Sequence, residues 1–289
     1  MGSYIDEVLS DTSDLFADHG VLTRQKRIDD MIGRDEEYRR GVGALQRGIN
    51  GGSLQNICIE GPSGSGKKTL IVKTLNGALR QFIQSKQDGD QITIVPLSGR
   101  FKTYSFGLRL INKIQSEEVI QGEYAKESLY GRITRELEQI GGIVIILVED
   151  IDDLEMEPPL HELIRQSTSD GLDQTKLGFI SSSVKPVIEM SWPQDIKNIL
   201  SETHIKIDGY DKETLEKILE RHADLAFKDG VIAEDIIEQC ASFVADRTGN
   251  ADQALRFLSS AGTRAEMEGD EVVDQRHMND VLSAQSLPR

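Results

Sequence analysis

The sequence predicts an α/β domain built on a parallel sheet, followed by a smaller all-helical domain. Three observations predict it. The glycine-rich stretch GPSGSGKKT (61–69) lies between an apolar strand candidate and a helical pattern. The run GGIVIILVED (141–150) is almost continuously apolar and ends in acids, as a strand buried on both faces does. From Asp211 onward the strand signals stop and helical periodicity takes over.

SLQNICIE (53–60) reads as a buried strand leading into the glycine loop. Behind the loop, Leu70, Ile71, Thr74, Leu75, Ala78, Leu79 and Phe82 recur at helical spacing. SKQDGD (85–90) is a turn and QITIVPL (91–97) a strand. Helices are expected at 104–115 and 126–139, before the acid-ended strand. KLGFISSS (176–183) is a further strand ending in hydroxyls, and THIKIDGY (203–210) a shorter strand or an extended linker. Three apolar stripes then mark helices. They are Leu215, Ile218, Leu219, His222, Ala223 and Ala226; Ile236, Ile237, Cys240, Phe243 and Val244; and Ala251, Ala254, Leu255, Leu258 and Ala261. The expected organisation is an N-terminal approach over 1–34, the α/β domain over 35–205 and the helical domain over 206–289.

Composition sets limits on function. The chain has 289 residues, 38% of them hydrophobic, and a net charge of −16 from 49 acidic and 33 basic residues. That balance argues against a general nucleic-acid binder and fits a protein working in concentrated salt, where self-repulsion is screened. Any DNA contact has to come from a local basic patch. No apolar run approaches the ~18 residues of a membrane span. The acidic start MGSYIDEVLSDTSDLF has no basic-then-apolar order, so a cytoplasmic location is expected. Cys58 and Cys240 sit in apolar, periodic segments and read as buried free thiols. His222, on an apolar stripe, reads as a satisfied histidine, and Trp192 as a packing residue.

The glycine loop carries the chemistry. Gly61, Pro62, Ser63, Gly64, Ser65, Gly66 and Lys67 match G-x-x-x-x-G-K. In such a loop, backbone amides and the helix N-terminus face phosphates and the lysine adds a point charge. The next position ordinarily gives Mg²⁺ a hydroxyl; here it is Lys68. It either points away or partly replaces the metal as a counter-charge. Thr69 is the nearest hydroxyl, turned about 100° around the helix. The second strand of such sites ends in Asp then Glu, for metal and water. Here the order is Glu149 then Asp150, with Asp152 beyond. Thr69 and Glu149 are the metal-ligand candidates.

Longer segments carry a family resemblance. LFADHGVLTRQKRIDDMIGRDEEYRRGVGAL resembles the N-terminal approach of archaeal origin-recognition and cell-division-control initiators of the AAA+ class, where an extended segment and an arginine-containing motif precede the nucleotide loop. VEDIDDL (148–154) resembles their acidic motif. GYDKETLEKILERHADLAFKDGVIAEDIIEQC and DRTGNADQALRFLSSAGTRAEMEG resemble their lid helices. The resemblance implies an AAA+ fold with ATP or ADP between the α/β domain and the lid. It also implies catalytic roles for Glu149 and Asp150. Ser182 takes the place of a polar sensor that is usually Asn. Lys197 takes the place of an arginine finger acting across a subunit interface. The second sensor arginine falls on Asp252, with Arg256 four residues on. Lys68, the Glu149–Asp150 inversion, Ser182, Lys197 and Asp252 depart together from the family pattern, which implies relaxed or lost hydrolysis. The family continues into a DNA-binding winged helix, and this sequence stops at Arg289 before one, either by nature or through truncation. Weak DNA contact is then expected from Arg100, Lys102, Arg109 and Lys113; the other reading of that stretch is a solvated helix packing through Phe106, Leu108 and Ile111. The implied role is replication initiation or its regulation, with other initiator subunits as partners. Two alternatives stay open: an active ATPase with a rearranged Mg²⁺ site, and a nucleotide-independent partner of a full-length initiator.

Overall fold

The computed structural model describes residues 15–23, 31–85, 91–98, 106–114, 126–154, 158–168 and 172–286. The chain divides into two compact units, Arg34–Asp208 and Met1–Gly33 with Gly209–Arg289.

The first unit opens with α1 (Asp35–Ile49), which has three acids in its first turn, where the helix dipole favours them. It continues through β1 (Ile57–Glu60), α2 (Lys67–Ser85), β2 (Ile92–Ser98), α3 (Phe106–Ile114), α4 (Lys126–Ile140), β3 (Gly142–Glu149), α5 (Pro158–Gln166), β4 (Thr175–Ser183), α6 (Gln194–Leu200) and β5 (Thr203–Lys206). The five strands form one sheet in the order β2-β3-β4-β1-β5, and every pair is parallel. β1 is buried throughout, and β3 everywhere but its ends. That is why both read as unbroken apolar runs rather than alternating ones. Asn56, fully buried before β1, donates to Ser167 Oγ (2.9 Å) and Glu202 Oε2 (3.1 Å) and accepts from the Phe179 amide (2.8 Å). A buried polar side chain so satisfied costs little and pins the sheet to its loops. Phe106, Leu108, Leu110 and Ile111 of α3 enter the core, and Trp192 packs half-buried against it.

The strands at 53–60, 91–97, 141–150 and 176–183 fall where the sequence sets them, with ends differing by up to four residues. Of the 203–210 segment, the first four residues are the strand. The helices at 104–115 and 126–139 appear as α3 and α4; residues 86–90 of the expected turn lie outside the described residues. Helices α1 and α5 were not read from the sequence.

The second unit holds α7 (Lys212–Ala226), α8 (Glu234–Ala245), α9 (Ala251–Glu268) and α10 (Gln275–Ser286). Asp211 caps α7 by accepting from the Thr214 amide, and Asn250 caps α9 by accepting from the Gln253 amide. The three apolar stripes form its core, joined by Leu15, Phe16, Val21 and Leu22. Phe16 pairs with Phe227 in an isolated antiparallel bridge, and their rings stack 4.5 Å apart. Cys58 and Cys240 are buried free thiols, and burial pushes both up to about 12. Among the described residues no helix is long and apolar enough to cross a membrane.

Candidate functional site

Strand order builds the site. β4 lies between β1 and β3, so the carboxyl ends of these three strands meet at one edge of the sheet, where ligands of open α/β sheets bind. The register sets Glu60 opposite Ser183 and Val148 opposite Ser181. The loop leaves β1 with the Gly61 amide donating to the Ser183 carbonyl at 3.1 Å. It closes on itself through the Ser65 hydroxyl, which donates to the Pro62 carbonyl at 2.8 Å. Gly64 (φ 71°) and Gly66 (φ 91°) adopt left-handed backbone that side chains disfavour. A Cβ on Gly61 would lie 2.3 Å from the Ile207 carbonyl oxygen, so only glycine fits.

Lys67 opens α2 and is buried; its Nζ donates to the carbonyls of Gly61 (2.6 Å) and Pro62 (2.8 Å). Its ammonium is therefore held at the mouth of the loop. Arg34, also buried, donates to the carbonyls of Ser65 (3.3 Å) and Asp208 (2.5 Å). Sequence reading did not single out Arg34; its signal was the arginine-containing stretch ahead of the loop. A glycine cradle closed by a buried lysine fits a polyphosphate.

The acidic strand end is arranged differently from an ordinary metal site. Lys68 Nζ lies 2.7 Å from Glu149 Oε2 and 3.9 Å from Asp150 Oδ2. Asp150 has φ 54° and is the only non-glycine residue with positive φ among those described. Its amide donates to Ser182 Oγ at 3.1 Å, and Ser182 is fully buried. Asp152 accepts from Ser183 Oγ (2.8 Å) and from the amides of Val184 (2.8 Å) and Lys185 (2.6 Å). It fastens the loop after β4. Mg²⁺ takes oxygen ligands in a near-ideal octahedron. The Lys68 ammonium has no lone pair to give and already engages Glu149, so these residues do not fit the metal in the ordinary way.

The other sequence-predicted residues are more scattered. Thr69 is exposed, as is Pro62 with Ser63. Lys197 Nζ donates to the Ile188 carbonyl (3.0 Å) and the Met190 carbonyl (3.3 Å), within its own unit. In the second unit, Asp252 lies in the first turn of α9 and Arg256 is exposed one turn later. Arg109 and Lys113 lie on α3, half-buried and exposed respectively; Arg100 and Lys102 lie outside the described residues.

One cluster was not read from the sequence. Glu268, Asp270 and His277 bring carboxylate and imidazole atoms within 4.8 Å of one another. Hydrogen bonding and charge account for it without a metal. The Asp274 amide donates to His277 Nδ1 (3.0 Å), which leaves Nε2 to donate to Asp270 Oδ2 (2.9 Å). The Arg276 guanidinium pairs with Asp270, lies 3.5 Å from Glu268 and brings positive charge to the cluster. Asp270 is held below the usual carboxylate range, first by the His277 hydrogen bond and then by Arg276.

The Cdc6 AAA+ ATPase-type lid domain family matches residues 216–283. With ORC1-type DNA replication protein 1 of Sulfurisphaera tokodaii the identity is 30% over 292 residues, covering 96% of this chain and 70% of that protein. The chain belongs to the archaeal ORC1-type/Cdc6 family. Within this family it is 29% identical to ORC1-type DNA replication protein 11 of Haloarcula marismortui, over 93% of this chain and 66% of that protein. It spans 58–66% of the length of three Haloarcula relatives. The Aeropyrum pernix ORC1 protein, solved in complex with DNA, superposes with a TM-score of 0.78 at 23% identity, over 94% of this chain and 70% of that one. The AAA+ fold expected of an ORC1-type/Cdc6 member, a parallel sheet flanked by helices and followed by a helical lid, is the fold observed.

Proposed function

We propose that this chain binds ATP or ADP through Gly61–Lys67 and acts as an initiator-type protein in DNA replication or its control. Nucleotide serves mainly as a conformational ligand that biases one state over another. The single observation carrying this is the buried Lys67, hydrogen-bonded to the Gly61 and Pro62 carbonyls of a glycine loop in which a Cβ on Gly61 would meet the Ile207 carbonyl. Family membership supports the replication role.

Hydrolysis on this reading is weak or absent. An ATPase needs a metal-held phosphate and a positioned water. Glu149 is occupied by Lys68, and the Ser182 hydroxyl by the Asp150 amide. Lys197, bonded to two carbonyls of its own unit, keeps the charge of an arginine finger but not its bidentate fork. DNA contact, if made through Arg109 and Lys113, is weak and falls steeply with salt.

Fluorescent ADP and ATP titrations test the binding. Lys67→Ala is expected to cost about 1.5–3 kcal/mol, the range for a hydrogen bond to a charged group. Phosphate release measured beside it should be no greater for the parent protein than for Lys67→Ala. Release abolished by that substitution would favour the active-ATPase alternative. Absence of any nucleotide binding would favour the interaction-partner alternative.

A further inference from the structure

We propose that Lys68 is a built-in substitute for the metal ion, so that this site takes adenine nucleotide without Mg²⁺. The proposal rests on nucleotide binding by the Gly61–Lys67 loop. Three observations meet at one place. Lys68 follows Lys67 in the first turn of α2, the position from which an ordinary loop offers its metal-binding hydroxyl. Its Nζ reaches Glu149 at 2.7 Å and Asp150 at 3.9 Å, across 81 residues of sequence, at the strand end that ordinarily serves the metal. Asp150 takes its place there on a left-handed backbone, steadied by the hydrogen bond its amide donates to Ser182 Oγ.

The chemistry follows from the donor set. A divalent cation bridges phosphate oxygens to carboxylates by accepting lone pairs from both. An ammonium bridges the same partners with protons: one directed at Glu149 and others available to a phosphate oxygen. Lys68 thus joins α2 to β3 through one positive charge. The same charge repels a dication arriving at the carboxylates. The inverted order of Glu149 and Asp150 also acquires a reason. The longer Glu149 side chain is the one that meets the ammonium. A site of this kind holds nucleotide yet lacks the metal that withdraws charge from the transferring phosphoryl group. Lys68 thereby helps to separate binding from hydrolysis, beside the departures at Ser182 and Lys197.

The test is a titration of fluorescent ADP and of ATP into the full chain at one fixed, high potassium chloride concentration. Each is run once with excess MgCl₂ and once with EDTA. The parent protein is expected to bind equally in both, within roughly twofold. Lys68→Thr restores the hydroxyl and removes the ammonium from beside Glu149 and Asp150, and it is expected to bind at least about tenfold more tightly with Mg²⁺ than with EDTA. Lys68→Met, which keeps the stem and removes the charge, is expected to bind more weakly than the parent in EDTA. Lys68 is partly exposed, and thermal melts of each variant confirm that it is folded. Tenfold or greater tightening of the parent protein by Mg²⁺ overturns the proposal, and so does a folded Lys68→Thr that stays indifferent to the metal. Failure of the parent to bind in either buffer is a different result: it removes the nucleotide reading itself, and this proposal with it.

Discussion

The family resemblance implies a sensor at Ser182, and in the structure its hydroxyl accepts the buried amide of Asp150 at 3.1 Å. That amide belongs to a residue with φ 54° and ψ 55°, a conformation that Asp tolerates better than most residues but that still costs energy. Ser182→Ala removes the acceptor, and the expected loss is roughly 1–3 kcal/mol in urea unfolding. Ser182→Thr, which keeps a hydroxyl, should lose less. If Ser182→Ala weakens nucleotide binding and leaves stability unchanged, the residue is a sensor and not a support. The family resemblance reached Ser182, and the sequence reached Lys67 because its loop pattern is local. It did not reach the bond between Asp150 and Ser182. That bond depends on a backbone angle no residue spacing encodes. Nor did it pair Lys68 with Glu149, since nothing in the sequence states that β1 and β3 both flank β4. Arg34 was missed for the same kind of reason: it acts on backbone carbonyls, which every residue offers.

At the level of elements, the stripes of α7, α8 and α9 were legible because burial in a helix bundle leaves a 3.6-residue rhythm. Helix α1 was not, because its glycines weaken the helical signal. Packing explains Gly41 and Gly48, and nothing in the structure explains Gly43. A Cβ on Gly41 would lie 2.8 Å from Thr74 Oγ1 on α2, and one on Gly48 would lie 2.7 Å from the Leu54 Cα. Gly262 of α9 plays a similar part in the helical unit. Its missing side chain makes room for Phe16 and Phe227, whose ring atoms would lie 2.5 and 2.6 Å from a Cβ. Alanine there gains up to about 1 kcal/mol of helix propensity. It also has to displace two stacked rings, typically ~1–3 kcal/mol, so Gly262→Ala is expected to destabilise. Adding Phe16→Ala should cost less than the sum of the two single changes, a coupling that a double-mutant cycle reads directly. Additive effects would mean that the segment around Phe16 does not pack there. His222 of α7 supplies a pH dependence. Burial lowers its pKa, while its Nδ1–H bond to the Ile218 carbonyl opposes the shift and Arg221 adds to it. A folded value below the unfolded ~6.5 means that the unfolded chain binds the extra proton first. The His222 contribution is therefore complete above about pH 6.5 and is lost as pH falls towards the lower, folded value. Imidazole NMR titration should show a depressed midpoint. His222→Gln should flatten the dependence of the melting temperature on pH across that window, and an undiminished slope would place the titrating group elsewhere.

For the whole molecule the governing quantity is the charge of −16, the feature most fully legible in the sequence and the one least tied to any single contact. Exposed ion pairs bring some opposite charges together, among them Lys212–Glu238, Lys217–Glu213 and Arg264–Asp280, each at 2.7 Å. Exposed pairs contribute little, with a typical value of about 0–1 kcal/mol each. Salt weakens these pairs, but it also screens the repulsion among 49 acidic groups. Repulsion outweighs the pairs when acids outnumber bases so heavily, because it acts across the whole surface and compact folding concentrates it. Raising potassium chloride from about 0.1 to about 1 M shortens the screening length from ~10 to ~3 Å. The thermal midpoint should therefore rise, each kcal/mol relieved being worth roughly 2–4 °C for a domain of 150–250 residues. Any affinity for DNA should move the other way over the same range, since it depends on counterions released from phosphates. Calorimetric scans and fluorescence anisotropy on one salt series give both slopes. A midpoint that falls with added salt would show that the surface ion pairs, and not the excess of acid, set the electrostatic balance of this fold.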